Sequence, residues 1–336
     1  MMKEMMGQRS RWRRWRWTLV ALAGGGAMFG FAAGNGHAWE VVPAARSIPP
    51  ARLSSLHGRI AYSTSGGDIW VMNANGTGRR RITRSGLGVD FDPDFSPDGK
   101  QIVFRTSRGR YARDVYGIGL EGIFVITVRS RRLRQIQPRT GGLFPAWSPD
   151  GRSIAFSGLA PDDRPVDTIH LMTPEGRDVV DLGPMGECST WSPDSSMIAY
   201  CAHSGDGNWA VWTMQRDGHE ARQLTHPILI PPAGDNGDAP ADWSPDGKRI
   251  LYSTVVGRDR ELFIMNADGS GKSRLTHWRG GDSPQVWLPD GRIVFGHYRG
   301  HEPLPHWYLI NSDGTHLRSL PKLYGAGDPI DWLVRR

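Results

Sequence analysis

Six histidines, His203, His226, His277, His297, His301 and His306, fall in or beside long connections between apolar segments, with Asp235, Asp238 and Asp282 nearby. Imidazole nitrogen and carboxylate oxygen together suit divalent metals, and the same groups can move protons. One reading is therefore a metal-assisted hydrolase or lyase. The other is a set of exposed loop side chains bonding their own backbones. Asp90, Asp92 and Asp94 form a second set. Alternate carboxylates on one side of an extended strand could hold Ca2+, or could serve turns and solvent. Trp278, Arg279, Tyr298 and Arg299 are of a third kind, the aromatic and guanidinium groups that anchor interfaces. His277 and His297 flank them at matching positions and would add pH sensitivity between about 5 and 8. This third set needs no cofactor.

What positions these side chains is a repeat. "DFSPDG" ends at Gly99, "AWSPDG" at Gly151, "TWSPDS" at Ser195, "DWSPDG" at Gly247 and "VWLPDG" at Gly291. The aromatics Phe95, Trp147, Trp191, Trp243 and Trp287 are spaced 52, 44, 52 and 44 residues apart, and a further 45 reaches Trp332 in "DPIDWLV". Such a period marks a repeat architecture. After Gly247, "KRILYSTV" alternates like a strand, "ELFIMNADG" is a second strand ending in Asp-Gly, and "SRLT" is a short third. With the strand before the Pro-Asp-Gly turn, that makes four short antiparallel strands, a propeller blade. The expectation is an all-β, six-bladed propeller closed by the C-terminal strand, residues 328–334 pairing with 59–64. In the motif, Pro restricts φ, Asp bonds its own turn and Gly accepts positive φ. The aromatic can wedge between blades. The motif reads as scaffold.

The combination of Trp-Ser-Pro-Asp-Gly, then "IWVMNANG" or "LFIMNADG", then "RRIT" or "SRLT" resembles the TolB-like (PD40 or WD40-like repeat) β-propeller family, over residues 58–336. The resemblance implies a scaffold that serves binding proteins and enzymes alike. Family members of the TolB type carry an α/β domain ahead of the propeller, and from the short stretch before the first blade that domain is expected to be missing here. No Gly-x-Ser-x-Gly elbow occurs, which argues against a serine peptidase of the prolyl oligopeptidase kind.

The first 38 residues are a different object. "RWRRWRW" precedes an apolar, Gly-rich run and the small residues Gly36 and Ala38, the pattern of an export signal. An uncleaved anchor over residues 18–34 is the alternative, although a span needs about 20 residues. The segment carries +5 of the formal +7, so the high pI reports targeting rather than nucleic-acid binding. Residues 39–57 read as a Pro-rich linker. Export would permit a disulfide, and Cys188 and Cys201 lie symmetrically about the turn at Asp194-Ser195. The preferred reading is a periplasmic or extracellular, non-enzymatic propeller. It would hold a protein, peptide or glycan on the face where the variable loops gather.

Overall fold

A computed structural model describes residues 51, 56–86, 88–107, 122–137, 142–159, 167–227, 237–300 and most of 302–333. The export segment and most of the linker lie outside the described residues.

Local chemistry explains the turns first. In each Ser-Pro-Asp turn the serine carbonyl accepts the N–H three residues on, from Gly99, Gly151, Ser195 or Gly247, at 2.7–2.8 Å. The hydroxyls of Ser96, Ser148, Ser192 and Ser244 donate to Asp98, Asp150, Asp194 and Asp246 at 2.6–2.7 Å. Each hydroxyl also accepts the N–H five residues on, at 2.8–2.9 Å. The turn thus satisfies its own polar groups and starts the next strand. The third-strand motif works similarly. Thr83, Thr225 and Thr276 each accept the N–H of Ile69, Val211 and Leu262, at 2.9, 2.8 and 2.9 Å. A short strand is thereby held by a side chain where a backbone carbonyl is missing.

Successive segments pair antiparallel. The second sheet holds β4 (Asp90–Phe95), β5 (Gln101–Thr106), β6 (Gly122–Thr127) and β7 (Leu133–Gln137). The third holds β8 (Leu143–Trp147), β9 (Ile154–Leu159), β10 (Asp167–Met172) and β11 (Val180–Met185), and the fourth β12 (Glu187–Trp191), β13 (Met197–His203), β14 (Trp209–Gln215) and β15 (Arg222–Gln223). The first sheet, β1 (Arg59–Ser63), β2 (Ile69–Asn73) and β3 (Arg80–Arg81), takes its fourth strand from the far end of the chain. That strand, β24 (Ile330–Leu333), lies antiparallel to β1 from Arg59↔Leu333 to Tyr62↔Ile330.

Here the structure corrects the expected six separate sheets. Four sheets have four strands, and the remaining strands make one sheet of eight. Its two halves are β16 (Ala239–Trp243), β17 (Arg249–Val256), β18 (Asp259–Asn266) and β19 (Ser273–Arg274), then β20 (Gly281–Trp287), β21 (Arg292–Tyr298), β22 (His306–Asn311) and β23 (Arg318–Ser319). A single parallel bridge, Arg260↔Gly281, joins them. Gly280 explains it. At φ +119° the chain passes close to β18, so that Gly280 N–H donates to Asp259 at 2.8 Å and its carbonyl accepts from Arg260 N–H at 3.2 Å.

The core lies between sheets, built on a period of two. Ile102 and Phe104 face Ile69 and Val71 of the first sheet, while Val103 faces Ile154 and Phe156 of the third. Each fully buried side chain of this size stabilises by about 1.5–3 kcal/mol. The motif aromatics are buried, and two indole N–H groups reach the inner strand of the preceding sheet. Trp191 donates to Ala146 at 3.1 Å and Trp243 to Thr190 at 3.4 Å. In space β4 neighbours β8, followed by β12, β16, β20 and β24, and β24 neighbours β4.

The cysteine expectation also meets a correction. Both residues are free thiols, and Cys201 stands opposite Glu187, donating to its carbonyl at 3.3 Å. A bulge between Glu187 and Thr190 takes up Cys188, at φ +55°, and shifts the register that symmetry about the turn predicts. Burial, with the neighbouring Cys188 thiol, pushes the Cys201 thiol well up from its ordinary range.

Candidate functional site on the loop face

The Pro-Asp-Gly turns follow the inner strands, so the starts of those strands mark the opposite face. Asp90, Asp238 and Asp282 stand there, each five residues before the aromatic of its blade, and each is buried. Thr106, across the ladder from Asp90, donates its hydroxyl at 2.6 Å. Burial raises the Asp238 carboxyl, and the nearby hydroxyls of Thr225 and Thr254 pull it down. At the third position the partner is His297, with Nδ1 2.6 Å from Asp282 Oδ1. The imidazole thus occupies a place that a hydroxyl fills elsewhere.

Around His297 an aromatic cluster assembles from β21, β22 and the connection before β20. The Trp278 ring meets His297 edge-on at 5.0 Å, Tyr308 at 5.1 Å and Phe295 at 5.8 Å. Arg299 donates to the Tyr308 hydroxyl. Behind them Glu261 is fully buried and accepts from Arg274 at 2.9 Å. Burial pushes the Glu261 carboxyl up, the Asp282 charge adds to the rise, and Thr276 and Arg274 pull it down.

Of the six residues expected to anchor a ligand, the structure brings Trp278, His297 and Arg299 together around Tyr308. His277 and Arg279 are exposed on the same connection as Trp278, and Tyr298 is half-buried at the end of β21. His297 departs from expectation. At 3% exposure it supports Trp278 from below and presents no surface of its own. His301 and Asp235 lie outside the described residues. Asp90, Asp92 and Asp94 do not share one side of a strand, because β4 is bulged between Phe91 and Asp94. Asp92, at φ +49°, pairs with the buried Arg105, and Asp94 accepts the Trp147 N–H. Among the described residues no group of three His, Cys, Asp or Glu side chains converges as metal ligands.

A second set of carboxylates lies on the inner strands, each just before its aromatic. Asp94, Asp242 and Asp331 accept the N–H of Trp147, Trp287 and Phe95, the motif aromatic of the next inner strand. Asp242 also accepts its own neighbour's N–H, from Trp243, at 2.8 Å. Enclosure pushes Asp242 up to about 7 and Asp331 up to about 6. Asp94 rises well above the carboxylate range through burial and the charge of the neighbouring Asp331.

No family model matches the chain. Over 178 residues it is 27% identical to the protein Atu1656 of Agrobacterium fabrum, covering 52% of this chain and 56% of that one. Over 92 residues it is 27% identical to the Tol-Pal system protein TolB of Thioalkalivibrio sulfidiphilus, covering 26% of this chain and 19% of that one. Among solved structures, TolB from Acinetobacter baumannii superposes with a TM-score of 0.62 at 17% identity, covering 85% of this chain and 68% of that one. A protein assigned as TolB in Agrobacterium tumefaciens gives 0.59 at 19% identity, covering 78% and 87%. The chain is similar to TolB and shares its β-propeller fold. An oligogalacturonate lyase in complex with manganese also shares the fold, with a TM-score of 0.55 at 15% identity over 76% of this chain and 74% of that one. The fold thus includes an enzyme among its structural neighbours.

In this propeller, sequence reasoning missed Tyr308, Glu261 and the stitching role of Asp94, Asp242 and Asp331. The last had a signal. All three occupy one position of the repeat, immediately before the aromatic, where other copies have Ala146, Thr190 and Val286. Tyr308 had none, since it reads as one more strand aromatic.

Proposed function

We propose that this chain is a periplasmic, non-enzymatic binding propeller that holds a protein partner on its loop face. In this reading the eight-stranded sheet counts as two blades, and the β24–β1 pairing closes a six-bladed ring. The observation that carries the function is the Trp278 cluster. A half-buried indole is fixed by His297, Phe295 and Tyr308, with the exposed His277 and Arg279 on either side. Rigid aromatic and arginine groups lose little entropy on binding and dominate interface energetics. TolB relatives support a protein partner in the envelope. The alternative, a metal-assisted hydrolase or lyase at the mouth of the channel, has less support, because the described residues bring no three metal ligands together.

Photo-crosslinking in cells tests the reading. A photoreactive residue at position 279 should yield protein adducts, and one at position 248, an exposed lysine on the turn face, should not. Trp278→Ala should weaken the 279 adducts, as expected for an anchor worth about 2 kcal/mol or more. Adducts from both faces alike would sink the assignment.

A further inference from the structure

A cavity of about 510 Å3 opens between the end of β15 and the β17–β18 hairpin. That is an ordinary size for a small-ligand pocket. Thr225, Asp238, Thr254, Val255, Val256 and Lys272 are among the residues that line it. Asp238 is 4% exposed, and among the described residues its Oδ1 has no hydrogen-bond partner. A buried acceptor left unmade costs free energy that an incoming donor recovers. The counterpart positions set the comparison, since Asp90 meets Thr106 and Asp282 meets His297.

The surroundings decide what kind of donor fits. Arg260 and Lys272 already act on the Asp238 carboxylate, so the site does not call for another cation. What Oδ1 lacks is a hydrogen, and a hydroxyl supplies one without adding charge. Val255 and Val256 are half-buried and apolar, a surface for C–H groups rather than for water. Lys272 is exposed at the edge, where it can meet an anion. We propose that this cavity binds a monosaccharide-sized polyol, with one ligand hydroxyl donating to Asp238 Oδ1 and the sugar's C–H face on Val255 and Val256. A sugar acid is the preferred form, its carboxylate meeting Lys272. This site is distinct from the Trp278 cluster and does not rest on the protein-partner reading.

Calorimetric titration and saturation-transfer NMR on the full chain test it, with glucose, glucuronate and the dipeptide Gly-Leu as probes. Both sugars should bind saturably. Glucuronate should bind at least about threefold tighter, an advantage that salt erodes because it rests on an exposed charge. Val256→Trp fills the cavity from a half-buried position and should weaken sugar binding by about tenfold or more while the melting temperature holds. Lys272→Gln should erase the preference for glucuronate and leave glucose binding intact. Three results would each overturn the proposal: no saturable sugar binding, binding that survives Val256→Trp, or binding of Gly-Leu in place of the sugars.

Discussion

The hydroxyl of Thr276 accepts the N–H of Leu262 at 2.9 Å inside the sheet, and Thr83 and Thr225 do the same for Ile69 and Val211. Valine has nearly the shape of threonine but no acceptor. Thr276→Val should therefore leave a buried N–H unmet and cost about 1–3 kcal/mol. Urea unfolding measures this directly, and a loss under about 0.5 kcal/mol would mean that the hydroxyl is dispensable. The same substitution removes a hydroxyl that pulls the Glu261 carboxyl down, so that buried group should become harder to ionise. At residue scale the loop face thus depends on groups buried beneath its surface. His297 is the clearest case, since its ring supports Trp278 and its Nδ1 is committed to Asp282.

At the scale of one element, the Pro-Asp-Gly turns look alike in sequence and differ in what surrounds them. Gly99 and Gly247 both sit at positive φ, +65° and +71°, so alanine at either should cost about 1–2 kcal/mol in backbone strain. Around Gly247 there is room, because a Cβ there would meet only Pro193, at 3.7 Å. A Cβ at Gly99 would lie 2.1 Å from the Arg59 guanidinium and 2.4 Å from Leu333 of β24. Gly99→Ala should therefore destabilise clearly more than Gly247→Ala in parallel thermal melts, because it also disturbs the pairing of the two chain ends. Equal costs would show that Arg59 and Leu333 move aside freely.

For the whole molecule, two groups of carboxylates set opposite pH limits. Asp242 and Asp331 are raised to about 7 and about 6 by enclosure, and Asp94 is raised as well. The folded state holds their protons more tightly than the unfolded chain does. Their contribution is thus complete below the ordinary carboxylate range and is lost as pH rises through about 6–7. The turn carboxylates run the other way. Burial works against Asp98, but together the bonds from the Lys100 N–H and side chain and from Ser96 outweigh it and lower the group to about 2. Stability from that group is lost as pH falls from about 4 toward 2. The melting temperature should accordingly peak between about pH 4 and 6 and decline toward pH 8. Asp242→Asn should flatten the decline at its upper end, and an unchanged slope would mean that Asp242 does not titrate there.

The repeat, the turn chemistry and the all-β class were legible because each is local. Ser-Pro-Asp-Gly satisfies its own donors within six residues, strand alternation has a period of two, and the aromatic spacing marks a repeat without any knowledge of contacts. The pairing of β24 with β1 was legible for a similar reason, since an unpaired strand at each end leaves only one economical partner. What tertiary structure decided was anything turning on a single residue of register or on packing across sheets. A bulge takes up Cys188 and puts Cys201 opposite Glu187, and another breaks the alternation of Asp90, Asp92 and Asp94. One bridge at Gly281 merges two sheets into one. The candidate site divides along the same line. Trp278 and Arg279 could be picked out as exposed-loop anchors by type, but the burial of His297 and the open acceptor of Asp238 depend on neighbours distant in sequence. Hydrophobic period and turn propensity act between residues a few positions apart, whereas burial and hydrogen-bond satisfaction are properties of the packed whole.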